Sequence, residues 1–520
     1  MILDASGVPE MLDGYLPAGG RPRQLSSHAV LLGVMVALDQ GRPAHLEAAH
    51  RALSGLPFDE QLASGVAVTG NGECDFATYR QLEDTFSVVC RPIDPSPVPS
   101  FRGVPEEERT AHLARARAGI DVSSRQAALF KVADALLEAS VPELYKSASA
   151  SLAVDWTDHE TWSRPRAKND TEPANDPDAS FGHAKRNAPG AKDCVFYGYY
   201  AQVATMIADE GGPRVPELVR RMAFEAPRRD PAGVMAATLS RMATDGTPLG
   251  DVVADCGYSY REPTTWARPL RRLGASLVMD LHPKDRGQKG TFEGAICANG
   301  QLYCPKTPLA LLAIGPLARG ARADETAAHD QRCTELARYK LTPVARPDGD
   351  GYFRVACPAS AGKLRCPLKA DSMALPARLP SVLEPLSGEL PRCCAQQTIT
   401  VAVQVNEKTR QKHDYPGAAF RDSYKRRTAA ERTYASLCDP SVGGIRRGWC
   451  RLFGLAKNTL MYALAVVVRN VRIVESFEAA QAQAARRAAL GGTKRRRRRH
   501  ERDEHPPEEP PPDDPRAQPG

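Results

Sequence analysis

Two aspartates stand directly after short apolar segments, where their carboxylates could bind a ligand or a metal ion. Asp155 follows Leu152-Ala153-Val154, and Asp255 follows Val252-Val253-Ala254. Ligand-binding residues of open α/β sheets gather where the strands end, and carboxylate oxygens suit a hard cation such as Mg²⁺. A single acidic residue at a strand end is more often a turn or cap residue, so neither aspartate alone assigns a site.

A third carboxylate lies in a basic segment with helical spacing. Residues at intervals of three and four are predicted to share one face of a helix here: Tyr424, Arg427, Glu431, Tyr434 and Cys438. Between positions 408 and 432 there are eight Lys or Arg and three Asp or Glu. A carboxylate amid positive charge suits a site for both metal and phosphate. The alternative is a basic surface helix whose acidic residue forms ion pairs.

Alternating strands and helices are predicted to position these carboxylates. Strands are expected at 152–154, 194–203, 251–254 and 275–279, and helices at 231–242 and 265–273. Strands separated by helices indicate an α/β layer with a largely central sheet. The segment 283–404 interrupts this rhythm with short β-prone pieces, so we interpret it as a β-rich insertion.

Five segments are predicted along the chain, and the fold class is α/β with an all-helical N-terminal domain. They are the helical domain (1–145), the first part of the α/β domain (146–285), the insertion (286–405), the second part with C-terminal helices (406–490), and a disordered charged tail (491–520). The helical domain is either a packing or dimerisation module or a DNA-end-binding module. The Arg-rich run 494–499 is by default a solvated segment, with added phosphate contacts as the alternative.

Composition excludes several classes of protein. The 520 residues are 42% hydrophobic and 25% charged, with a net charge of +7 that is compatible with a polyanionic partner. Phosphate-loop, HExxH, GxSxG and Cys-x-x-Cys motifs do not occur in the sequence. The apolar run 460–468 is far shorter than the roughly 20 residues of a membrane-spanning helix, and the N-terminus does not resemble a secretory signal. We therefore expect a cytoplasmic protein without a membrane partner.

Thirteen cysteines are expected to be reduced in the cytoplasm. Several of them lie in the insertion and could supply a four-cysteine zinc site: Cys297, Cys304, Cys357 and Cys366, with Cys393 and Cys394 nearby. Their spacing is looser than that of most zinc sites. Buried thiols that bind no metal are therefore the alternative.

The motifs together resemble a known family. Tyr424-x2-Arg427-x3-Glu431 resembles the Y-R-E-K signature of cut-and-paste bacterial insertion-sequence transposases of the DDE class. The lysine of that signature would fall at Cys438. Residues 253–258, with Asp255 before Gly257-Tyr258, resemble the second-aspartate motif of the family, and residues 154–157 its first-aspartate strand. The long gap before Glu431 suits the subgroup with a β-rich insertion.

The resemblance implies an RNase H-like fold and a two-metal mechanism. Asp155, Asp255 and Glu431 would coordinate two Mg²⁺ ions, with Mn²⁺ as a substitute. Arg427 would contact a phosphate, Tyr424 would lie against the DNA backbone, and the role of the missing lysine would pass to other basic residues: Lys425, Arg426 or Arg432. The implied partners are double-stranded DNA, as terminal inverted repeats and target, and a second protomer. The implied location is the bacterial cytoplasm, with association to the nucleoid when DNA is bound.

Two other functions remain open. One is a catalytically inactive transposase descendant that acts as a sequence-specific DNA-binding protein. The other is a Mg²⁺ nuclease of the same fold that cuts DNA without joining it. Metal-dependent activity separates the first alternative from a transposase, because DNA binding alone needs none of the three carboxylates.

Overall fold

The computed structural model has a mixed α/β architecture, which confirms the predicted class at this level. It describes residues 2–17, 25–65, 78–166, 173–184, 194–345, 347–348, 351–439, 444–445 and 450–490. The predicted charged tail and its Arg-rich run lie outside these residues. The chain divides into two compact units, Met1–Val474 and Glu475–Gly520. The domain boundaries predicted within the first unit stay predictions.

The described part of the first 146 residues is helical, as the sequence predicted. Its helices are α1 (Ile2–Ser6), α2 (Val8–Gly14), α3 (Ser27–Asp39), α4 (Leu46–Ser54), α5 (Phe58–Ala63), α6 (Tyr79–Cys90), α7 (Arg109–Arg117), α8 (Val122–Ala139) and α9 (Glu143–Lys146). The side chains of Ser26 and Thr78 accept backbone N–H groups at the starts of α3 and α6, which fixes where these helices begin. The α8 residues Leu129, Val132 and Leu136 are buried at helical spacing.

A mixed sheet forms the centre of the first unit. Its strands are β1 (Leu152–Glu160), β2 (Ser180–Ala184), β3 (Cys194–Met206), β4 (Val219–Glu225), β5 (Asp251–Ala254) and β6 (Ser276–Met279). The order is β2-β3-β1-β5-β6, and β4 also pairs with β3. The pairs of β3 with β1, β2 and β4 are antiparallel, whereas β1, β5 and β6 are parallel.

The first strand is longer than predicted, since it does not end at Asp155 but continues to Glu160. Pairing with β5 stops at Val154 opposite Ala254, while pairing with β3 continues to the end of β1. The backbone hydrogen bonds to β3 keep this part of β1 extended. Asp155 is therefore the first residue of β1 that has a neighbouring strand on only one side.

Side chains of the parallel strands alternate between two faces of the sheet. Leu152, Val252 and Leu277 share a core cluster with residues of α10 (Pro231–Thr244) and α12 (Ala267–Arg272). Ala153, Val253 and Val278 share a different cluster with residues of the helices after position 417: Phe420, Ala429 and Ala430. The period of two places every second residue on the same face. This alternation decides towards which face of the sheet the side chains directly after the strands point.

The predicted insertion contains two small sheets and three helices, and the helices were not predicted from the sequence. The sheets are β7 (Gln288–Phe292), β8 (Ala295–Ala298) and β9 (Gln301–Tyr303), and β10 (Thr342–Pro343), β11 (Phe353–Ala356) and β12 (Thr398–Val401). The helices of this segment are α13 (Leu309–Leu312), α14 (Ala323–Tyr339) and α15 (Arg392–Ala395). The one-turn helix α11 (Cys256–Ser259) lies outside it and directly follows β5.

The helix predicted to carry Tyr424 and Glu431 is broken, which corrects the prediction of one continuous stripe. It consists of α16 (Ala418–Tyr424), a 3₁₀ turn (Lys425–Arg427) and α17 (Thr428–Cys438). In the turn, the Arg426 side chain donates hydrogen bonds to the carbonyl of Ser423 and to Asp251, and these bonds hold the tighter geometry.

The last helix, α18 (Leu455–Ala489), is buried from Leu455 to Asn470. Its apolar residues share one core cluster with the N-terminal helices and with β3 and β4. The apolar part of this helix therefore packs against the sheet and the N-terminal helices. Among the described residues, we find no helix with the length and apolar character needed to cross a membrane.

Candidate carboxylate site

Three aspartates form a row at one end of the parallel strands. Val154, Ala254 and Met279 are paired in register across β1, β5 and β6. The next residue of each chain segment is an aspartate: Asp155, Asp255 and Asp280. Neighbouring strands are about 4.8 Å apart, and the alternation of side chains points all three towards α16 and α17. The strands thus place three carboxylates side by side on one face.

Asp155 has the most perturbed carboxyl group of the row. Its Oδ2 accepts a hydrogen bond from Arg427 Nη1 at 2.9 Å, and its Oδ1 accepts one from the Trp156 N–H at 2.9 Å. Burial and the charge of Asp255 raise the pKa of Asp155 to about 7, against the opposing effect of Arg427. A carboxyl group that titrates near neutrality is typical of functional sites.

Asp255 lies beside it and also caps the short helix α11. Its Oδ1 accepts a hydrogen bond from the Gly257 N–H at 2.9 Å. Burial raises the pKa of this carboxyl, while Arg427 and the backbone hydrogen bonds lower it. Gly257 is required for close packing, since a Cβ there would lie 2.4 Å from the ring of Trp156. The D-x-G-Y motif thus has a structural reason as well as a chemical one.

Glu431 reaches the row through Arg427. The Arg427 guanidinium forms one ion pair with Asp155, 272 positions away, and another with Glu431 on the next turn of its own helix. The Glu431 side chain is 49% exposed, whereas that of Arg427 is 18% exposed. Arg427 also lies over the ring of Tyr424, which stacks on Phe420. The arginine is therefore held from several sides, whereas the glutamate is half exposed and has Arg427 as its ion-pair partner.

Buried hydroxyl contacts fix α17 against the sheet. The Tyr434 hydroxyl lies 2.6 Å from the backbone carbonyl oxygen of Asp155 and 3.0 Å from that of Ala201. Thr433 is hydrogen-bonded to Thr205 of β3, with 3.1 Å between the hydroxyl oxygens. These bonds set the position of the α17 backbone at Glu431, which precedes Thr433 by two residues and Tyr434 by three, relative to Asp155.

Asp280 is a member of the row that the sequence analysis missed. Its carboxylate accepts a hydrogen bond from the Tyr415 hydroxyl at 2.9 Å and pairs with Arg286 at 3.3 Å. Its charge contributes to the raised pKa of Asp255. The signal was present in the sequence, because Asp280 follows an apolar strand in the same way as the other two aspartates.

The four residues predicted to bind DNA are divided by the structure. Arg427 and Tyr424 belong to the site. Lys425 lies on the surface, with its side chain 75% exposed, and pairs with Asp422. Arg426 turns away from the row and pairs with the buried Asp251 at 2.7 Å. Its charge is thus already neutralised within the chain.

The site has the donors that Mg²⁺ prefers but not yet their arrangement around an ion. Among the described residues, no three His, Cys, Asp or Glu side chains are grouped so that they could hold a metal ion as they stand. The positive charge between Asp155 and Glu431 is that of Arg427. Carboxylates that raise one another's pKa fit a divalent cation chemically, because the ion would relieve their repulsion.

The cysteines proposed as zinc ligands fall into two groups. Cys304, Cys357 and Cys366 contribute to one core cluster, and Cys297 belongs to another with Cys393 and Cys394. Burial raises the pKa of the Cys304 thiol to about 12. The thiols near it are those of Cys394, Cys357 and Cys366. Three of the four predicted ligands thus share one cluster, whereas Cys297 belongs to the other. The zinc site stays a prediction.

Comparisons with known proteins do not assign the chain to a family. No family model matches the chain, and no curated protein or solved structure is significantly similar to it.

Proposed function

We propose that this protein is a DNA transposase of the DDE class, which cleaves and transfers DNA strands at the carboxylate site. The observation that carries the proposal is that Arg427 connects the motif carboxylates. Asp155 lies next to Asp255 and shares Arg427 with Glu431, although these residues come from distant parts of the sequence. A structural role alone does not require carboxylates that repel one another in a partly buried place.

The topology of the sheet supports an RNase H-like fold. Antiparallel strands β3 and β4 continue on one side of β1, and the parallel strands β5 and β6 on the other. The first two motif aspartates lie on the adjacent strands at the centre of this order, and the glutamate comes from a helix packed on the same face. This arrangement suits the fold that the sequence motifs imply.

Asp155, Asp255 and Glu431 are the residues that would hold Mg²⁺. The bound metal would supply charge stabilisation at the phosphate and a more acidic water or DNA hydroxyl. Glu431 is the carboxylate that can exchange partners, since its side chain is half exposed and its bond to Arg427 can be given up. Asp155 and Asp255 are fixed by backbone N–H groups and need not move.

Arg427 has the geometry of a phosphate-binding residue. Its planar guanidinium can donate to two oxygens at once, and it is held over the Tyr424 ring while it bonds two carboxylates. A DNA phosphate would offer it the same charge and a similar spacing of acceptors. Tyr424 would then act as a support for the arginine, and the exposed Lys425 would add a second contact to the DNA backbone.

The partners of this reaction are the inverted repeats at the element ends and the target DNA. Because two ends must be joined in one event, we propose that at least two protomers act together. The location follows from the substrate, and we propose that the protein works in the bacterial cytoplasm on nucleoid DNA.

The experiment that tests this function uses DNA flanking the gene as substrate. Purified full-length protein is incubated with that DNA and Mg²⁺ or Mn²⁺, beside Asp255→Ala and, as a control for a carboxylate outside the site, Asp158→Ala. We expect nicks at inverted-repeat ends with the wild type and the control, and none with Asp255→Ala. Cleavage that needs no divalent metal, or that survives Asp255→Ala, would refute the proposal.

The alternative of an inactive descendant has one observation in its favour. Cys438 stands where the signature lysine is expected, and it lies on the exposed end of α17. Tight binding of the inverted repeats by both wild type and Asp255→Ala, without cleavage by either, would assign that function. Cleavage without any joined product would instead indicate a nuclease.

A structural zinc ion in the insertion is a separate proposal. Three cysteines of its set are each followed by proline and a turn: Cys304, Cys357 and Cys366. Cys394 is the neighbouring thiol that would complete the set in place of Cys297. Metal analysis of the purified protein should find about one Zn²⁺ per chain, lost in Cys304→Ser and kept in Cys297→Ser. Protein free of zinc after expression in zinc-supplemented medium would contradict it.

A further inference from the structure

A large basic groove lies on the described surface away from the carboxylate row. Its walls are α6, the segment 97–102, α7 and the residues before and at the start of α18, and its volume is about 1210 Å³. Seven basic residues line it against the two acidic residues Glu83 and Asp84. The basic residues used in the argument are Arg80, Arg91, Arg102, Arg109, Arg451 and Lys457. We call this surface the basic groove.

Three arginines of the basic groove have no carboxylate partner in the part of the chain that the structure describes. Arg80, Arg91 and Arg102 make no ion pair with a carboxylate of the described residues. The Nε of Arg109 is buried and has no hydrogen-bond partner in the described part of the chain. Like charges gathered in this way repel one another, and a polyanion would relieve the repulsion while releasing counterions.

Aromatic rings alternate with the basic residues along the same surface. Phe101 and Phe453 line the basic groove, and the ring of Tyr79 is 41% exposed at its edge. A smaller cavity shares Arg109 and Phe453 with it and adds Trp162, which is also 41% exposed. The guanidinium of Arg109 lies 5.7 Å from the Phe101 ring. Rings interleaved with arginines are typical of surfaces on which the bases of unpaired strands stack.

The basic groove is connected to the carboxylate row by β1. The strand runs from Asp155 to Glu160, and Trp162 follows two residues later. At about 3.3 Å per residue, Trp162 in the smaller cavity next to the groove lies roughly 20 Å from Asp155, along β1 and the two residues after it. That distance corresponds to about six nucleotides of a stacked strand. One DNA molecule could therefore contact both places.

We propose that the basic groove binds an unpaired DNA strand near the cleavage point, with phosphates on the arginines and bases against Phe101 and its neighbouring rings. The choice of DNA rests on the proposed transposase function, whereas the preference for unpaired bases rests on the groove itself. Duplex DNA would satisfy the arginines but would leave the aromatic faces without bases to stack on.

The test measures binding of fluorescently labelled 20-nucleotide DNA, single-stranded or duplex, to the full-length protein in EDTA. The variants are Phe101→Ala, Phe101→Trp and the double variant Arg80→Ala/Arg102→Ala. Arg115→Ala is the matched control, because Arg115 is exposed on α7 but does not line the groove. Thermal unfolding confirms that each variant is folded.

We expect Phe101→Ala to weaken single-strand binding by about 5- to 100-fold, with duplex binding nearly unchanged and with Phe101→Trp restoring it. The double arginine variant should weaken binding of both DNAs and lower the log–log salt slope by about 1.4 for the single strand and about 1.8 for the duplex. Equal binding by wild type and both groove variants would overturn the proposal, as would displacement of the DNA by poly-glutamate at equal charge. Since the assay contains no metal, its failure is independent of a failure of cleavage at Asp255.

Discussion

The two ends of β5 carry aspartates with opposite surroundings. Asp251 opens the strand and is buried, and its carboxylate accepts hydrogen bonds from Lys412 at 2.9 Å and Arg426 at 2.7 Å. Asp255 follows the strand and has neighbouring carboxylates on both sides in the row, with only backbone N–H groups and the more distant Arg427 to offset them. Four residues apart, the same type of side chain is paired with two cations at one position and held beside other carboxylates at the other.

The difference teaches how to separate structural from functional carboxylates. A buried charge that is fully paired is satisfied by the fold and has nothing left to offer a ligand. A carboxylate held among others keeps a raised pKa and gains stability when a cation arrives. Both aspartates flank the same apolar strand, β5. The difference between them therefore comes from the residues that contact each one from other parts of the fold.

The largest effect is expected on activity, and only from a substitution at the Asp255 end of β5. Asp255→Asn should reduce DNA cleavage at least about 1000-fold, or about 4 kcal/mol of transition-state stabilisation. Its stability should change little, because asparagine also caps helices. Cleavage rates with inverted-repeat DNA, together with thermal unfolding, measure both quantities. A variant that loses its fold would show that Asp255 is structural.

At the other end of β5, the loss should be in stability. Asp251→Asn removes the charge that Lys412 and Arg426 share, and leaves two partly buried cations without it. We expect the free energy of unfolding to fall by about 3 kcal/mol, measured by chemical denaturation. Asp158→Asn, at an exposed position on β1, is the control. An unchanged unfolding free energy would remove the distinction between the two ends.

The pH dependence of stability sharpens the comparison at Asp155. Its folded pKa of about 7 lies above the unfolded value of about 3.9. Between these values the folded state binds the extra proton, so stability falls as pH rises from about 4 to 7 and is then constant. Asp155→Asn has no carboxyl group at this position, so its stability does not fall in this way. Its free energy of unfolding should exceed that of the wild type by about 2–4 kcal/mol at pH 8 without metal. The two proteins should be equally stable near pH 4.

The same experiment with Mg²⁺ provides the control. Added Mg²⁺ should stabilise the wild type at pH 8 and leave Asp155→Asn unchanged, because binding to the folded state raises its stability by mass action. Equal stabilisation of both proteins would indicate that the ion binds elsewhere.

The smallest effect is expected at Asp280, which combines features of both ends of β5. It lies in the carboxylate row but has its own partners, Tyr415 and Arg286. Asp280→Asn keeps an acceptor for the tyrosine, so we expect a cleavage rate about 10-fold lower and a stability loss of about 1 kcal/mol. A rate loss as large as that of Asp255→Asn would make Asp280 a full member of the metal-binding set.

Much of the fold could be predicted because the apolar patterns are local. The strands at 251–254 and 276–279 and the helix at 231–244 follow from hydrophobic runs and turn residues. The extension of β1 to Glu160 could not be predicted from its polar residues, since pairing with β3 maintains it. The break before α17 could not be predicted either, because it depends on Asp251, 175 positions from Arg426.

The sequence by itself determined which residues have the chemistry. The apolar strands before Asp155 and Asp255 and the spacing of Tyr424, Arg427 and Glu431 are properties of the chain. Only the tertiary structure decided that Arg427 connects Asp155 with Glu431, that Arg426 is withdrawn into an ion pair with Asp251, and that Cys297 shares a cluster with Cys393 and Cys394 instead of Cys304. The physical reason is that local patterns set the direction of a side chain, whereas its partners, and with them its charge and pKa, come from distant segments.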